Sequence, residues 1–145
     1  MKKLYYGCEE FISDTKKLAS EVKSYNLDVI VAIARGGLSL AHYLGELLNI
    51  REVTSINSIG YDADIKLDTV KVYNTPLIEQ GKRVLVVDDI ADSGETLKEV
   101  IKKLKEKNPS SEFKVATIFY KKSSIYQPDF KVREAKEWVE FFWSA

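Results

Sequence analysis

Between an apolar run and a region of helical spacing, the chain reads Asp88-Asp89-Ile90-Ala91-Asp92-Ser93-Gly94-Glu95-Thr96, which gathers three aspartates, two hydroxyls and a glycine. Adjacent carboxylates at the end of a buried strand repel each other and lose solvation. Asp88 and Asp89 therefore call for a cation or for hydroxyl donors. Magnesium and a ribose diol supply these. Ser93, Gly94, Glu95 and Thr96 lie where a helix should begin, and the dipole and unpaired N–H groups at such a point favour a phosphate. One stretch could thus hold a phosphorylated sugar at both ends. The alternative is that Asp92 or Ser93 merely caps the helix, with Glu95 or Glu99 reinforcing its first turn. That would leave Asp88 and Asp89 without a role.

A second stretch with chemical potential is Ala34-Arg35-Gly36-Gly37. Its glycines let backbone amides approach an anion, and Arg35 offers a bidentate charge, so a diphosphate would fit; a plain tight turn would also use these residues. Other polar and aromatic residues say less when read alone. Lys121 is an ordinary surface lysine, and Glu137-Trp138-Val139-Glu140 holds core aromatics. His42 sits on a helix with no second histidine to complete a metal site. Residues Gly60 to Thr69, with Tyr61 near their start, are polar and poorly periodic and read as a mobile surface loop.

The elements that must position these residues alternate between strand and helix. Asp28 to Ala34 and Arg83 to Val87 are short β-branched apolar runs, as strands buried on both faces would be. Helices are expected over Leu38 to Leu48 and over the stretch that puts Leu97, Val100, Ile101 and Leu104 on one face. Residues 10 to about 25 read as a surface helix capped by Ser13 or Asp14. Phe113 to Phe119 is another strand, with weaker ones near Val53 to Ile59 and Thr69 to Tyr73. The pattern is that of an α/β fold, a mostly parallel twisted sheet flanked by helices, whose ligands sit beyond the carboxyl ends of its strands.

At 145 residues, without internal repeat, one domain spanning 1–145 is expected. Lysine plus arginine equals aspartate plus glutamate, 22 each, so no overall field favours nucleic acid or an anionic membrane, and neither is an expected partner. The single cysteine, Cys8, rules out an internal disulfide and fits a cytoplasmic location. No apolar run approaches the length of a membrane span.

Val84 to Leu97 resembles the signature of type I phosphoribosyltransferases: two acids after an apolar strand, then a small phosphate loop. The resemblance implies a type I phosphoribosyltransferase-like sheet with a short C-terminal base-binding segment. It further implies that Asp88 and Asp89 hold the ribose hydroxyls of 5-phosphoribosyl 1-diphosphate (PRPP), with Mg2+ near Asp89. Ile90, Ala91, Asp92, Ser93, Gly94, Glu95 and Thr96 would line the PRPP site, Ser93, Gly94 and Thr96 binding the 5-phosphate. Asp92 would be the candidate general base. Arg35, Gly36 and Gly37 would bind the diphosphate, with a non-proline cis peptide beside the arginine, and Tyr61 would belong to a lid over the reaction centre.

Within the family, the segments around Lys121 and Trp138 are most similar to bacterial xanthine-guanine and hypoxanthine phosphoribosyltransferases. There a lysine donates to the purine 6-oxo group and an aromatic stacks on the ring. Lys121, Trp138 and the backbone of Val139 would form the base pocket. The expectation is a magnesium-dependent enzyme that joins PRPP to hypoxanthine, guanine or xanthine, assembled as a homo-oligomer, dimer or tetramer. The alternatives are a PRPP-sensing regulator without efficient catalysis and a phosphoribosyltransferase for adenine or uracil.

Overall fold

In the computed structural model, residues 2–62 and 65–145 are described, those of 60–62 and 65–69 by their backbone alone. The first half of the chain forms β1 (Lys3–Tyr6), α1 (Cys8–Val22), a 3₁₀ turn (Lys23–Tyr25), β2 (Val29–Ala34), α2 (Leu38–Leu48), β3 (Val53–Asp62) and β4 (Ile65–Tyr73). The second half forms β5 (Arg83–Ala91), α3 (Glu95–Lys107), β6 (Glu112–Tyr120), β7 (Arg133–Glu134) and β8 (Trp138–Phe141). Six strands make one sheet in the order β4-β3-β2-β5-β6-β7, parallel except for the β3–β4 pair, while β1 and β8 pair in parallel as a separate ribbon.

The apolar pattern of the sequence explains this layering. Successive residues of β2 point to opposite faces. Ile30 and Ala32 join Leu18, Val22, Leu40 and Leu44 of α1 and α2, whereas Val29, Val31 and Ile33 meet Leu97, Val100, Ile101 and Leu104 of α3. Both faces of the central strand are covered, so its run is apolar throughout. Each of the four α3 side chains contributes roughly 1.5–3 kcal/mol by burial, an upper range because the unfolded chain is already partly collapsed.

Several expectations need correction. β5 does not end at Val87: Asp88, Ile90 and Ala91 stay in register with Thr117, Phe119 and Tyr120 of β6, whose backbone satisfies theirs. Asp88 and Asp89 are thus strand residues, held more stiffly than loop residues would be. α1 begins earlier than expected, after Gly7, whose N–H donates to Glu10 Oε2 at 2.7 Å. Asp14, expected as a cap, is instead buried inside the protein. The segment read as a loop from Gly60 to Thr69 belongs largely to the arms of the β3–β4 pair, while residues 63–64 and the Tyr61 side chain lie outside the described residues. The C-terminal aromatics pack within the chain: Phe11 meets Phe142 and Trp143 edge-on, and Phe141 stacks on Trp143 with ring centres 4.7 Å apart. Among the described residues, no helix is long and apolar enough to cross a membrane.

Candidate active site

The carboxyl ends of β2 and β5 bring together the two stretches singled out in the sequence. A Cβ placed on Gly36 would lie 2.7 Å from Asp89 Oδ2, so the absence of a side chain there lets the carboxylate rest against the turn after β2. At Gly37 a Cβ would run into the Val87 carbonyl. The Ala34–Arg35 peptide is cis, as expected, and Arg35 is exposed at the mouth of the turn.

Asp88 and Asp89 carry an electrostatic load that their hydrogen bonds relieve only in part. Burial pushes the Asp88 carboxyl well above the ordinary aspartate value, and the neighbouring Asp89 charge pushes it further the same way. Burial also raises Asp89, against the opposing effect of its hydrogen bonds. Each residue keeps part of its surface open, so hydroxyl donors or a cation could reach the pair from outside.

Next to this pair, a hollow of about 400 Å³ is bounded by Asp88, Asp89, Ser93, Gly94 and Thr96. Gly94 precedes α3 with φ +87°, a left-handed conformation that turns the chain from the sheet into the helix. Neither Asp92 nor Ser93 is the helix cap; Ser93 Oγ accepts the Glu95 N–H at 3.3 Å, and Asp92 faces elsewhere. The loop after β6 buttresses the turn: the Lys121 N–H donates to the Ala91 carbonyl and the Ile125 N–H to the Ser93 carbonyl, both at 2.9 Å.

A second hollow, of about 630 Å³, opens between Ile90, Asp92, Lys121, Trp138 and Val139. Lys121 Nζ lies 2.7 Å from Asp92 Oδ1. Trp138 is 59% exposed, leaving a ring face free to stack. Ile90 and Asp92 border both hollows, so the two lie side by side with Asp92 lining each.

Residues 4–145 match the phosphoribosyl transferase domain family. The chain belongs to that family.

The matched span reaches further toward the amino end than the motifs alone suggested. A xanthine-guanine phosphoribosyltransferase from Idiomarina loihiensis is 30% identical over 98% of this chain and 87% of its own length. Among solved structures, the Helicobacter pylori xanthine-guanine-hypoxanthine phosphoribosyltransferase is 36% identical with a TM-score of 0.89, covering 98% of this chain and 94% of that one. A purine phosphoribosyltransferase from Pyrococcus horikoshii Ot3 is 30% identical with a TM-score of 0.86, covering 100% and 96%.

The phosphoribosyltransferase domain also uses residues that the sequence motifs do not contain. Gln127 Nε2 donates to the carbonyls of Lys121 at 3.1 Å and Ser124 at 2.8 Å, closing the loop that carries Lys121. The Ser124 hydroxyl, which donates to the Tyr126 carbonyl at 2.8 Å, lies against Gly94. Nothing in their spacing marks either residue, because their partners are backbone atoms chosen by the path of the loop.

Proposed function

We propose that this phosphoribosyltransferase transfers the 5-phosphoribosyl group of PRPP to a 6-oxopurine, hypoxanthine, guanine or xanthine, releasing diphosphate and a nucleoside 5′-monophosphate. The observation that carries the reading is the pairing of Lys121 at 2.7 Å with Asp92, a residue that lines both hollows. On a 6-oxopurine, the O6 acceptor and the N7 ring position lie side by side. A cationic donor and a carboxylate acceptor held together suit that edge in its N7–H form. Adenine would turn an amino group toward the lysine, donor against donor.

In the reaction, a ring nitrogen of the base attacks C1 of the ribose as the C1–O bond to diphosphate breaks, and the electron pair of that bond leaves with diphosphate. Asp88 and Asp89 orient the ribose and lie close to the positive charge that develops on it. Asp92 accepts or shares the purine proton, Trp138 stacks on the ring, and Arg35 faces the departing diphosphate. The 5-phosphate rests on the Ser93 to Thr96 turn at the start of α3.

Magnesium fits the donors present, since burial disfavours the charged forms of the adjacent Asp88 and Asp89 carboxyls and a cation would offset that cost. No group of three histidine, cysteine or acidic side chains suited to a metal occurs among the described residues. Asp89 would therefore hold the ion together with substrate oxygens and water, as is usual for magnesium bound with phosphates. Bound there, it would neutralise charge on the diphosphate.

Diphosphate release from PRPP and magnesium, measured in parallel with hypoxanthine, guanine, xanthine, adenine and uracil, tests the reading. Turnover is expected with the oxopurines and not with adenine or uracil. In Lys121→Ala, kcat/KM for the base should fall about 10- to 100-fold while KM for PRPP stays within about threefold, the loss of one charged hydrogen bond. PRPP binding without turnover on any base would leave a sensor in place of an enzyme.

A further inference from the structure

The mechanism makes no use of Asp14, the one carboxylate of α1 that is almost fully buried, at 2% exposure. Its partners come from two separate places. Tyr6 Oη, at the end of β1, donates to Asp14 Oδ2 at 2.6 Å. Arg133, on β7, donates from Nε to Oδ2 at 2.6 Å and from Nη2 to Oδ1 at 3.3 Å, a two-pronged contact.

These two partners bracket the base-binding segment. Two residues beyond Arg133, the Ala135 N–H donates to the Tyr120 carbonyl at 2.8 Å, next to Lys121. The chain then runs through Trp138 and Val139 into β8, whose Phe141 is in register with Tyr6 and meets its ring edge-on at 5.8 Å. One carboxylate on α1 is therefore tied to the start of the segment through Arg133 and to its end through Tyr6. The ties are charged or short, and Asp14 and Tyr6 are shielded from water, so the segment between them has little freedom to shift.

We propose that Asp14 is a positioning residue for the purine: through Arg133 and Tyr6 it sets where Trp138 and Val139 stand relative to Lys121, and so sets affinity for the base without touching it. The inference rests on the purine reading given above. It separates the two halves of the site, because among the described residues the Asp14 carboxylate is bonded to Tyr6 and Arg133 and to nothing in the Asp88 to Thr96 stretch that would hold the sugar phosphate.

The test compares two probes on the whole chain by titration calorimetry. On the purine reading, inosine 5′-monophosphate would reach both hollows, whereas ribose 5-phosphate would occupy only the one beside Ser93 to Thr96. In Asp14→Asn and in Arg133→Gln, the nucleotide is expected to bind about tenfold more weakly, short of the hundredfold that a 1 Å misplacement can cost. Ribose 5-phosphate should stay within about twofold, and Arg133→Lys should recover part of the loss. Arg133→Gln serves if Asp14→Asn does not fold, since the Arg133 side chain is 44% exposed.

Equal weakening of both probes, or a lower melting temperature with unchanged affinities, would make the cluster a purely structural tie and overturn the proposal. Wild-type protein that bound inosine, guanosine and xanthosine 5′-monophosphates no better than ribose 5-phosphate would instead overturn the purine reading, and the proposal with it.

Discussion

Asp89→Asn is expected to melt at a higher temperature than the wild-type protein without ligand, yet to lose about 10²- to 10³-fold in turnover. Both effects have one origin. Burial holds the Asp88 and Asp89 carboxyls above the ordinary value of 3.8, and Asp89 adds its charge to the load on Asp88. An amide at position 89 removes a buried charge and leaves Asp88 with a neutral neighbour.

The pH dependence follows from the direction of these shifts. The folded protein binds the two protons more tightly than the unfolded chain does. Their stabilising contribution is complete below about pH 4 and is lost as pH rises through the raised folded values. The gap in melting temperature between variant and wild type should therefore be small near about pH 4 and widen as pH rises through the raised folded values. With magnesium and PRPP present, the ranking should reverse, because the wild-type pair then has its partners. A gap independent of pH would mean that the pair is already neutralised in the free protein.

Gly94→Ala has the second large effect, on both stability and phosphate binding. Its φ of +87° costs an alanine roughly 1–2 kcal/mol. A Cβ would also stand 2.5 Å from Ser124 Oγ and from the Tyr126 nitrogen, so the 121–127 loop must move, at about 1–3 kcal/mol more. Gly81→Ala separates the two contributions: φ there is +75°, but nothing lies within 4 Å of the added carbon. Urea unfolding should show Gly81→Ala losing only the conformational part, about 1–2 kcal/mol, and Gly94→Ala about 2–5 kcal/mol. Ribose 5-phosphate affinity should fall only in the second variant. Equal losses in the two would remove the loop contact from the explanation.

The parts of the fold legible in the sequence were those whose signal is local. Val84 to Leu97 carries its strand, its acids and its helix start in one stretch, and the continuous apolar run of β2 and the periodic apolar face of α3 can be read directly. What escaped depends on partners far along the chain. Asp88 to Ala91 have the composition of a loop but extend a strand, since β6 offers them a ladder. Asp14 reads as a helix cap by residue type, and only the fold brings Arg133, 119 residues away, to its carboxylate. The brief strands β1 and β7 are too short to show any period. Lys121 and Trp138 were assigned by resemblance alone; the structure places both on one hollow with Asp92.

The ribbon of β1 and β8 pairs Lys3 with Trp138, so one wall of the base hollow depends on residues from opposite ends of the chain finding each other. The phosphate turn, by contrast, is made from successive elements, β5 and α3, with β6 beside them. Contacts between near neighbours in sequence form early in folding, and those that close nearly the whole chain form late. The two halves of the site are therefore expected to assemble at different stages of folding. A chain whose first strand has come loose would keep its sugar-phosphate turn and its Lys121–Asp92 pair, and lose the strand that holds Trp138 beside the base.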